Sequence, residues 1–128
     1  MPKASVYHPI GLFDADEWGA FLDDLAEVLA NEMSAIDPMT GGMFQNDPED
    51  HIDILSFPYD PATSRPTAVM LIEIITYAWP HRMANIKDRI GAVADVAKRH
   101  VGPKFVYIKH DTVSVTFLSK GPDCWVAR

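Results

Sequence analysis

Apolar and polar positions follow a strand-then-helix pattern in the first third of the chain. Residues 3–8 are typical of a short strand that ends at Pro9. Asp14 then predicts a helix N-cap, with Glu17 three positions later as its capping-box partner. The apolar residues that follow recur at helical spacing, which predicts a helix through about residues 31–33. These apolar positions are Trp18, Phe21, Leu22, Leu25, Val28, Leu29 and Met33.

A second strand is predicted after a polar, irregular stretch. Asp37-Pro38 and Gly41-Gly42 are chain breakers that end the helical pattern. Ile52 and Ile54 are two positions apart, and together with Phe57 they predict a strand with one buried face.

The second half of the chain repeats this plan. The nearly continuous apolar run Ala68–Ile75 indicates a central strand covered on both faces, and Pro80 ends it. A helix that closes near residues 102–103 follows, and Phe105–Ile108 with Val113–Phe117 predicts a bent strand or a hairpin. The apolar positions of this helix are Met83, Ile86, Ile90, Val93 and Ala97.

The order strand, helix, strand, given twice, predicts an α+β fold. The halves start near residues 2 and 67, an offset of 65, and we expect a single domain 1–128 with repeats at about 2–60 and 67–125. Two tandem β-α-β repeats would combine into one four-stranded sheet with two helices on one face. A ferredoxin-like βαββαβ module is the alternative. In that module the strands of the two halves interleave, whereas in a tandem plan each half keeps its strands adjacent.

Charge and composition exclude several classes of function. The chain has 128 residues and a net charge of −7, without a Lys/Arg cluster, which argues against nucleic acid as a partner. A lone cysteine, Cys124, excludes an intrachain disulfide framework, and the five histidines lack the spacing of a metal site, so we predict no metal. We see no apolar run of membrane-spanning length and no signal peptide, and we expect a cytoplasmic protein.

The sheet face opposite the helices also carries apolar side chains. No predicted helix is left to cover it, so identical subunits are the simplest partner, and we expect a homo-oligomer.

Pro2 is the main candidate for chemistry, because removal of Met1 would leave a secondary amine at the start of the first strand. An α-amino group titrates at about 7.7–8.0, and burial disfavours its charged form. A neutral amine on a rigid ring is a good general base, and its conjugate acid is a good general acid. The alternative is that Pro2 only permits processing of Met1. If Met1 is retained, Pro2 is an amide without basicity.

Pro2 together with the doubled β-α-β plan resembles the tautomerase superfamily over nearly the whole chain. That superfamily includes 4-oxalocrotonate tautomerase, malonate semialdehyde decarboxylase, the cis-3-chloroacrylic acid dehalogenases and macrophage migration inhibitory factor. Two local segments resemble the decarboxylase-like members. Phe44-Gln45 with residues 47–50 is similar to their second-strand region, and Pro80-His81-Arg82 with Lys87 is similar to their strand-to-helix turn.

The resemblance implies a cofactor-independent isomerase and a set of site residues. Pro2 matches the proline that acts as acid or base, and Arg82 matches the arginine that binds a substrate carboxylate. The position of Tyr107 is close to the one where the dehalogenases have a tyrosine that helps to activate water. A tyrosine in a strand is also typical of ordinary core packing. Phe117 and Trp125 would supply either an apolar wall beside the amine or simple tail packing. The family also implies a homotrimer and a small carboxylate substrate.

Departures from the decarboxylase pattern keep two alternatives open. Pro80 stands where that group has a second arginine, and Gly41-Gly42 stands where it has its catalytic aspartate. Asp37 and Asp47 are nearby, but neither aligns without a shift. A decarboxylase, dehalogenase or hydratase-like lyase is therefore the enzymatic alternative, and an inactive oligomeric binding relative is the non-enzymatic one. Simple proton transfer survives these departures best.

Overall fold

A four-stranded mixed sheet with helices packed on one face forms the architecture. The computed structural model describes residues 2–104 and 111–119, so Tyr107, Trp125 and the predicted strand Phe105–Ile108 lie outside the described residues. The elements are β1 (Lys3–Pro9), α1 (Ala15–Glu32), β2 (Ala35–Ile36), β3 (Met43–Phe44), β4 (Asp53–Tyr59), β5 (Ala68–Thr76), α2 (Pro80–Met83), α3 (Ile86–Val101), a 3-10 turn (Gly102–Lys104) and β6 (Asp111–Ser119).

The strand order is β4-β1-β5-β6, and it separates the two halves of the chain. β1 is parallel to β4, β5 is parallel to β6, and the central pair β1–β5 is antiparallel. Each β-α-β half therefore keeps its own strands adjacent, which confirms the tandem plan and rules out the interleaved ferredoxin-like order. The strand starts Lys3 and Ala68 are separated by 65 positions, as the repeat predicted.

The core lies between the sheet and the two long helices. Ala4 and Val6 of β1 and Ile72 and Ile74 of β5 point to the helix face and are fully buried. Successive side chains of a strand point to opposite faces, so these alternating positions form one continuous apolar layer. The helices supply the facing layer: Phe21, Leu25, Leu29, Val93, Ala97 and Val101.

Local signals set the ends of α1. The Asp14 side chain accepts a hydrogen bond from the Glu17 N–H at 2.8 Å, and the Glu17 carboxylate accepts one from the Asp14 N–H at 3.0 Å. This is the predicted capping box. The last turn of α1 contains no basic residue, so its terminal carbonyl groups need partners from elsewhere in the fold.

Two regions differ from the sequence-based expectation. The predicted breaker segment holds a two-stranded hairpin, β2–β3, whose turn places Gly41 at a positive φ of 73°. The single helix expected after Pro80 is divided into α2 and α3, because Asn85 adopts a non-helical conformation (φ −137°, ψ 37°). Met83 therefore lies exposed rather than on the apolar helix face. Among the described residues, no helix is both long and apolar enough to cross a bilayer.

Candidate functional site

Pro2 lies at the end of the sheet, where the two halves of the chain meet. Lys3 pairs with Ile75 of β5 and with Asp53 of β4, so the next step along the register brings Pro2 beside Thr76 on one side. The Asp53 N–H donates to the Pro2 carbonyl at 3.2 Å on the other side. The Pro2 side chain is fully buried. The register thus holds the proline in a fixed place at the start of a central strand.

Arg82 is brought to the same end of the sheet by α2. Its Nε donates to the Met33 carbonyl at 3.1 Å, and its Nη1 donates to the Thr76 hydroxyl at 3.3 Å. Nη2 also donates to the Met33 carbonyl, and Nη1 also donates to the Tyr77 carbonyl. The residue is 1 % exposed. Thr76 thus links the guanidinium to the strand position beside Pro2.

The second half of the chain caps the first helix with two arginines. Arg82 binds the Met33 carbonyl, while Arg89 donates to the carbonyls of Glu32 and Ser34. Asn85, at the break between α2 and α3, accepts from Arg89 Nε at 2.6 Å and orients it. A helix C-terminus carries partial negative charge, so two cations are favourable there.

The environment of Arg82 lowers the pKa of its guanidinium but leaves the group charged. Burial lowers the pKa of Arg82 from its ordinary value to about 10, and the charge of Arg89 adds to this effect. The guanidinium therefore remains charged at neutral pH. Its position beside Thr76 gives the Pro2 end of the sheet a buried positive charge.

Aromatic rings surround this charge. The Trp79 ring centroid lies 5.2 Å from the Arg82 guanidinium carbon and stacks with Tyr77 at 5.8 Å. Phe44 meets Trp79 edge-on at 5.9 Å, and His51 lies 6.3 Å from Phe44. We call Phe44, His51, Tyr77 and Trp79 the aromatic corner. It joins β3, the start of β4 and the end of β5, and the apolar pattern of single strands did not reveal it.

Of the remaining predicted residues, Phe117 lies within the part of the chain that the structure describes. Phe117 lies on β6, where it pairs with Ile74 of β5 and packs against the core. In the strand order, β5 lies between β6, which carries Phe117, and β1, which follows Pro2. Phe117 is therefore two strands away from Pro2. Tyr107 and Trp125 lie outside the described residues, and their predicted roles stay predictions.

The two aspartates considered for a lyase are engaged locally. Asp37 accepts from the Met39 N–H at 2.8 Å, and Asp47 accepts from the Glu49 N–H at 2.8 Å. Each carboxylate thus stabilises its own turn. Within residues 2–104 and 111–119, no group of three or more His, Cys, Asp or Glu side chains is placed to hold a metal ion.

Comparison with known proteins identifies the fold. No protein-family model and no curated protein matches the chain. A fused 4-OT solved as a wild-type asymmetric trimer is 13% identical with a TM-score of 0.63, over 92% of this chain and 85% of that one. Macrophage migration inhibitory factor from Toxoplasma gondii is 14% identical with a TM-score of 0.58, over 94% of this chain and 90% of that one.

A member of the cis-3-chloroacrylic acid dehalogenase family is 14% identical with a TM-score of 0.56, over 91% of this chain and 75% of that one. At these identities the likeness shows the fold alone. The resemblance to the tautomerase superfamily is thereby confirmed at the level of the fold, and the α+β class with it.

Proposed function

We propose, from the tautomerase fold and the buried Pro2 at the end of its sheet, that this chain is a cofactor-independent tautomerase. Its substrate would be a small keto or enol compound that bears a carboxylate. The observation that carries the proposal is the position of Pro2, which is fully buried and lies beside Thr76, whose hydroxyl accepts a hydrogen bond from Arg82.

The proposal requires that Met1 is removed, so that the Pro2 nitrogen is an amine. Burial disfavours the charged form of an amine, and a nearby positive charge disfavours it further. The Pro2 side chain is buried, and in this proposal Arg82, which donates to the hydroxyl of the neighbouring Thr76, supplies the positive charge. The Pro2 amine would therefore be neutral at cellular pH and ready to accept a proton.

In the proposed reaction, the lone pair of the Pro2 nitrogen takes a proton from the carbon next to the substrate carbonyl. The electrons of the broken C–H bond move into the carbonyl group and give an enolate. The protonated proline then returns the proton to a different atom of the substrate, which restores the neutral amine. A positioned acid–base group of this kind typically contributes about 10²–10⁴-fold to the rate.

Arg82 would stabilise the enolate by its charge, because electrostatic attraction acts strongly in a buried site. Its direct grip on a substrate carboxylate stays a prediction. The guanidinium already donates to Met33, Thr76 and Tyr77, so this grip requires it to exchange protein oxygens for substrate oxygens. Trp79 and Phe44 of the aromatic corner would give the Arg82 side of the site an apolar wall. The wall predicted from Phe117 and Trp125 stays a prediction.

Ketonisation of the enol form of phenylpyruvate, or of 2-hydroxymuconate, tests the proposal. We expect Pro2→Ala to lose about 10²–10⁴-fold in rate, while Pro58→Ala, at an exposed proline of β4, keeps the wild-type rate. Intact-mass spectrometry of each protein shows whether Met1 is absent. Equal rates for wild type and Pro2→Ala, with Met1 removed from both, would exclude the proline from the mechanism.

An oligomeric binding protein without catalysis is the second candidate. It is favoured by the Arg82 guanidinium, which is buried and hydrogen-bonded to protein oxygens. Retention of Met1 on the purified protein, together with no ketonisation, would support this candidate against the tautomerase. A lyase gains no support, because the carboxylates of Asp37 and Asp47 are used in their own turns.

The proposed assembly is a homotrimer. Leu55 and Phe57 of β4 point to the sheet face away from the helices and are 45% and 41% exposed. The fused 4-OT neighbours are described as trimers. Burial of this face against two further copies would remove the apolar side chains from water.

A further inference from the structure

Asn46 carries a buried side-chain amide without a partner. The residue lies in the loop between β3 and β4 and is 9% exposed. Neither its Oδ1 nor its Nδ2 has a hydrogen-bond partner. Among the described residues, these are the only buried side-chain polar atoms left in this state.

A buried amide of this kind opposes folding unless another group supplies its missing hydrogen bonds. A carboxamide offers two N–H donors and an acceptor oxygen, and burial without partners forfeits the hydrogen bonds that water would make. An apolar side chain of similar size would avoid this loss. An isolated buried polar group in a folded protein therefore calls for a specific explanation, such as a bound molecule.

The loop that carries Asn46 is held in one conformation. The Asp47 N–H donates to His51 Nδ1 at 2.8 Å, and the His51 N–H donates back to the Asp47 carbonyl at 2.9 Å. A further bond from the Glu49 N–H to the Asp47 carboxylate closes the turn. These bonds fix the turn that directly follows Asn46 along the chain.

Both ends of this loop reach the proposed active site. Phe44, just before the loop, packs on Trp79, which lies against Arg82. Ile52, at the other end of the loop, is one register step before Asp53, which bonds to the Pro2 carbonyl. The loop thus spans from the aromatic corner to the flank of the proline.

We propose that Asn46 is a substrate-binding and specificity residue of this site. Nδ2 donates to the carbonyl or carboxylate oxygen of the substrate, and Oδ1 accepts from the hydroxyl of its enol form. This role rests on the proposed tautomerase function. The Arg82 donors are bound to protein oxygens, whereas the Asn46 amide has donors and an acceptor to spare. An amide that both donates and accepts suits a substrate that alternates between keto and enol.

The ratio of the dissociation constants of two ligands tests this role, and the measurement does not depend on catalysis. A site that hydrogen-bonds a substrate oxygen rejects an analogue that lacks it. We therefore expect the wild type to bind phenylpyruvate at least about tenfold more tightly than 3-phenylpropanoate, which lacks the keto oxygen. Asn46→Leu should reduce this ratio to near one. The exposed neighbour gives the matched control, Gln45→Leu, which should keep the wild-type ratio. Calorimetric titration of the three proteins with both ligands measures the six dissociation constants.

Thermal unfolding separates binding from structure. If the amide serves a ligand, Asn46→Leu should unfold at the same temperature as the wild type or at a higher one, since an unpaired polar group has been removed. An unchanged phenylpyruvate preference in Asn46→Leu would overturn the proposal. So would an oligomer structure in which a neighbouring subunit or a resident water satisfies both amide atoms.

Failure of this inference and failure of the proposed function give different results. Pro2→Ala should lose ketonisation but keep the binding preference, because Asn46 holds the substrate and does not move the proton. If wild type and Pro2→Ala ketonise equally while the preference depends on Asn46, the proline mechanism fails and the binding role stands. If Pro2→Ala abolishes catalysis and Asn46→Leu changes no preference, only the binding role fails.

Discussion

At the scale of single residues, Arg82 joins the two halves of the chain through the hydrogen bonds of its guanidinium. Its guanidinium holds the Met33 carbonyl at the end of α1 and the Thr76 hydroxyl at the end of β5. Met33 and Arg82 are 49 positions apart, so this single side chain fastens the first half of the chain to the second. A structural role predicts a loss of stability on its removal, whereas a purely substrate-binding role predicts a loss of activity alone.

We expect Arg82→Met to lower the free energy of unfolding by at least about 2 kcal/mol, because buried acceptors lose a charged donor. Urea denaturation followed by fluorescence measures the change. Arg99→Met, at an exposed arginine of α3, is the matched control and should stay within about 0.5 kcal/mol of the wild type. If Arg82→Met lost substrate binding at unchanged stability, the arginine would be a ligand group and not a cap.

At this scale, sequence reasoning named candidate residues but could not predict their contacts. Pro2 and Arg82 were singled out from position and from resemblance, and the structure brings both to the same end of the sheet. The contacts of Arg82 with carbonyl groups could not be predicted, since every residue has a carbonyl and none is marked in the sequence. The unpaired amide of Asn46 is likewise a property of burial, which appears only in the fold.

At the scale of elements, the start of α1 shows a pH dependence with a definite sign. The pKa of Glu17 lies below its ordinary value of 4.5, first because the Asp14 N–H bonds to its carboxylate and then because Lys104 does. A lowered carboxylate pKa in the folded state contributes stability above the ordinary pKa. That contribution is lost as the pH falls through the lowered value.

We expect Glu17→Gln to unfold at a lower temperature than the wild type near neutral pH, and the difference to shrink as the pH falls through the lowered pKa of Glu17. Thermal unfolding between about pH 7 and pH 3 measures it. Asp14→Ala, which removes the cap itself, should cost about 1 kcal/mol. Glu27→Gln, at an exposed position of the same helix, is the control and should follow the wild type. A difference that persists in acid would contradict the role of the Glu17 charge.

Elements with a strong local signal were predictable, and those held by tertiary contacts were not. The apolar run of β5 and the capping box of α1 each depend on residues that are close together in the sequence, and both were predicted. The hairpin β2–β3 has two residues per strand, too few for any periodicity. The break at Asn85 follows from its non-helical backbone and its bond to Arg89, which a periodic apolar pattern does not record.

At the scale of the whole molecule, the sheet has one covered and one open face. On the open face the rings of Tyr7 and Phe57 stack at 5.2 Å, and Leu55 lies on the same strand as Phe57. Sequence reasoning predicted this uncovered apolar face by counting helices, because two helices cover only one side of a four-stranded sheet. The number of copies that cover it is not written in the strand pattern and comes from the resemblance.

We expect the protein to have three times the 14.3 kDa mass of one chain in solution, and Phe57→Lys to lower that mass to the mass of a single chain. A lysine at position 57, on the open face of the edge strand β4, would bury an unpaired charge in the interface, which strongly opposes association. Sedimentation equilibrium measures both masses. Met39→Lys is the matched control, since Met39 is 90% exposed at the tip of the β2–β3 hairpin, away from this face. A trimer that survives Phe57→Lys but not Met39→Lys would move the interface from the open sheet face to the hairpin.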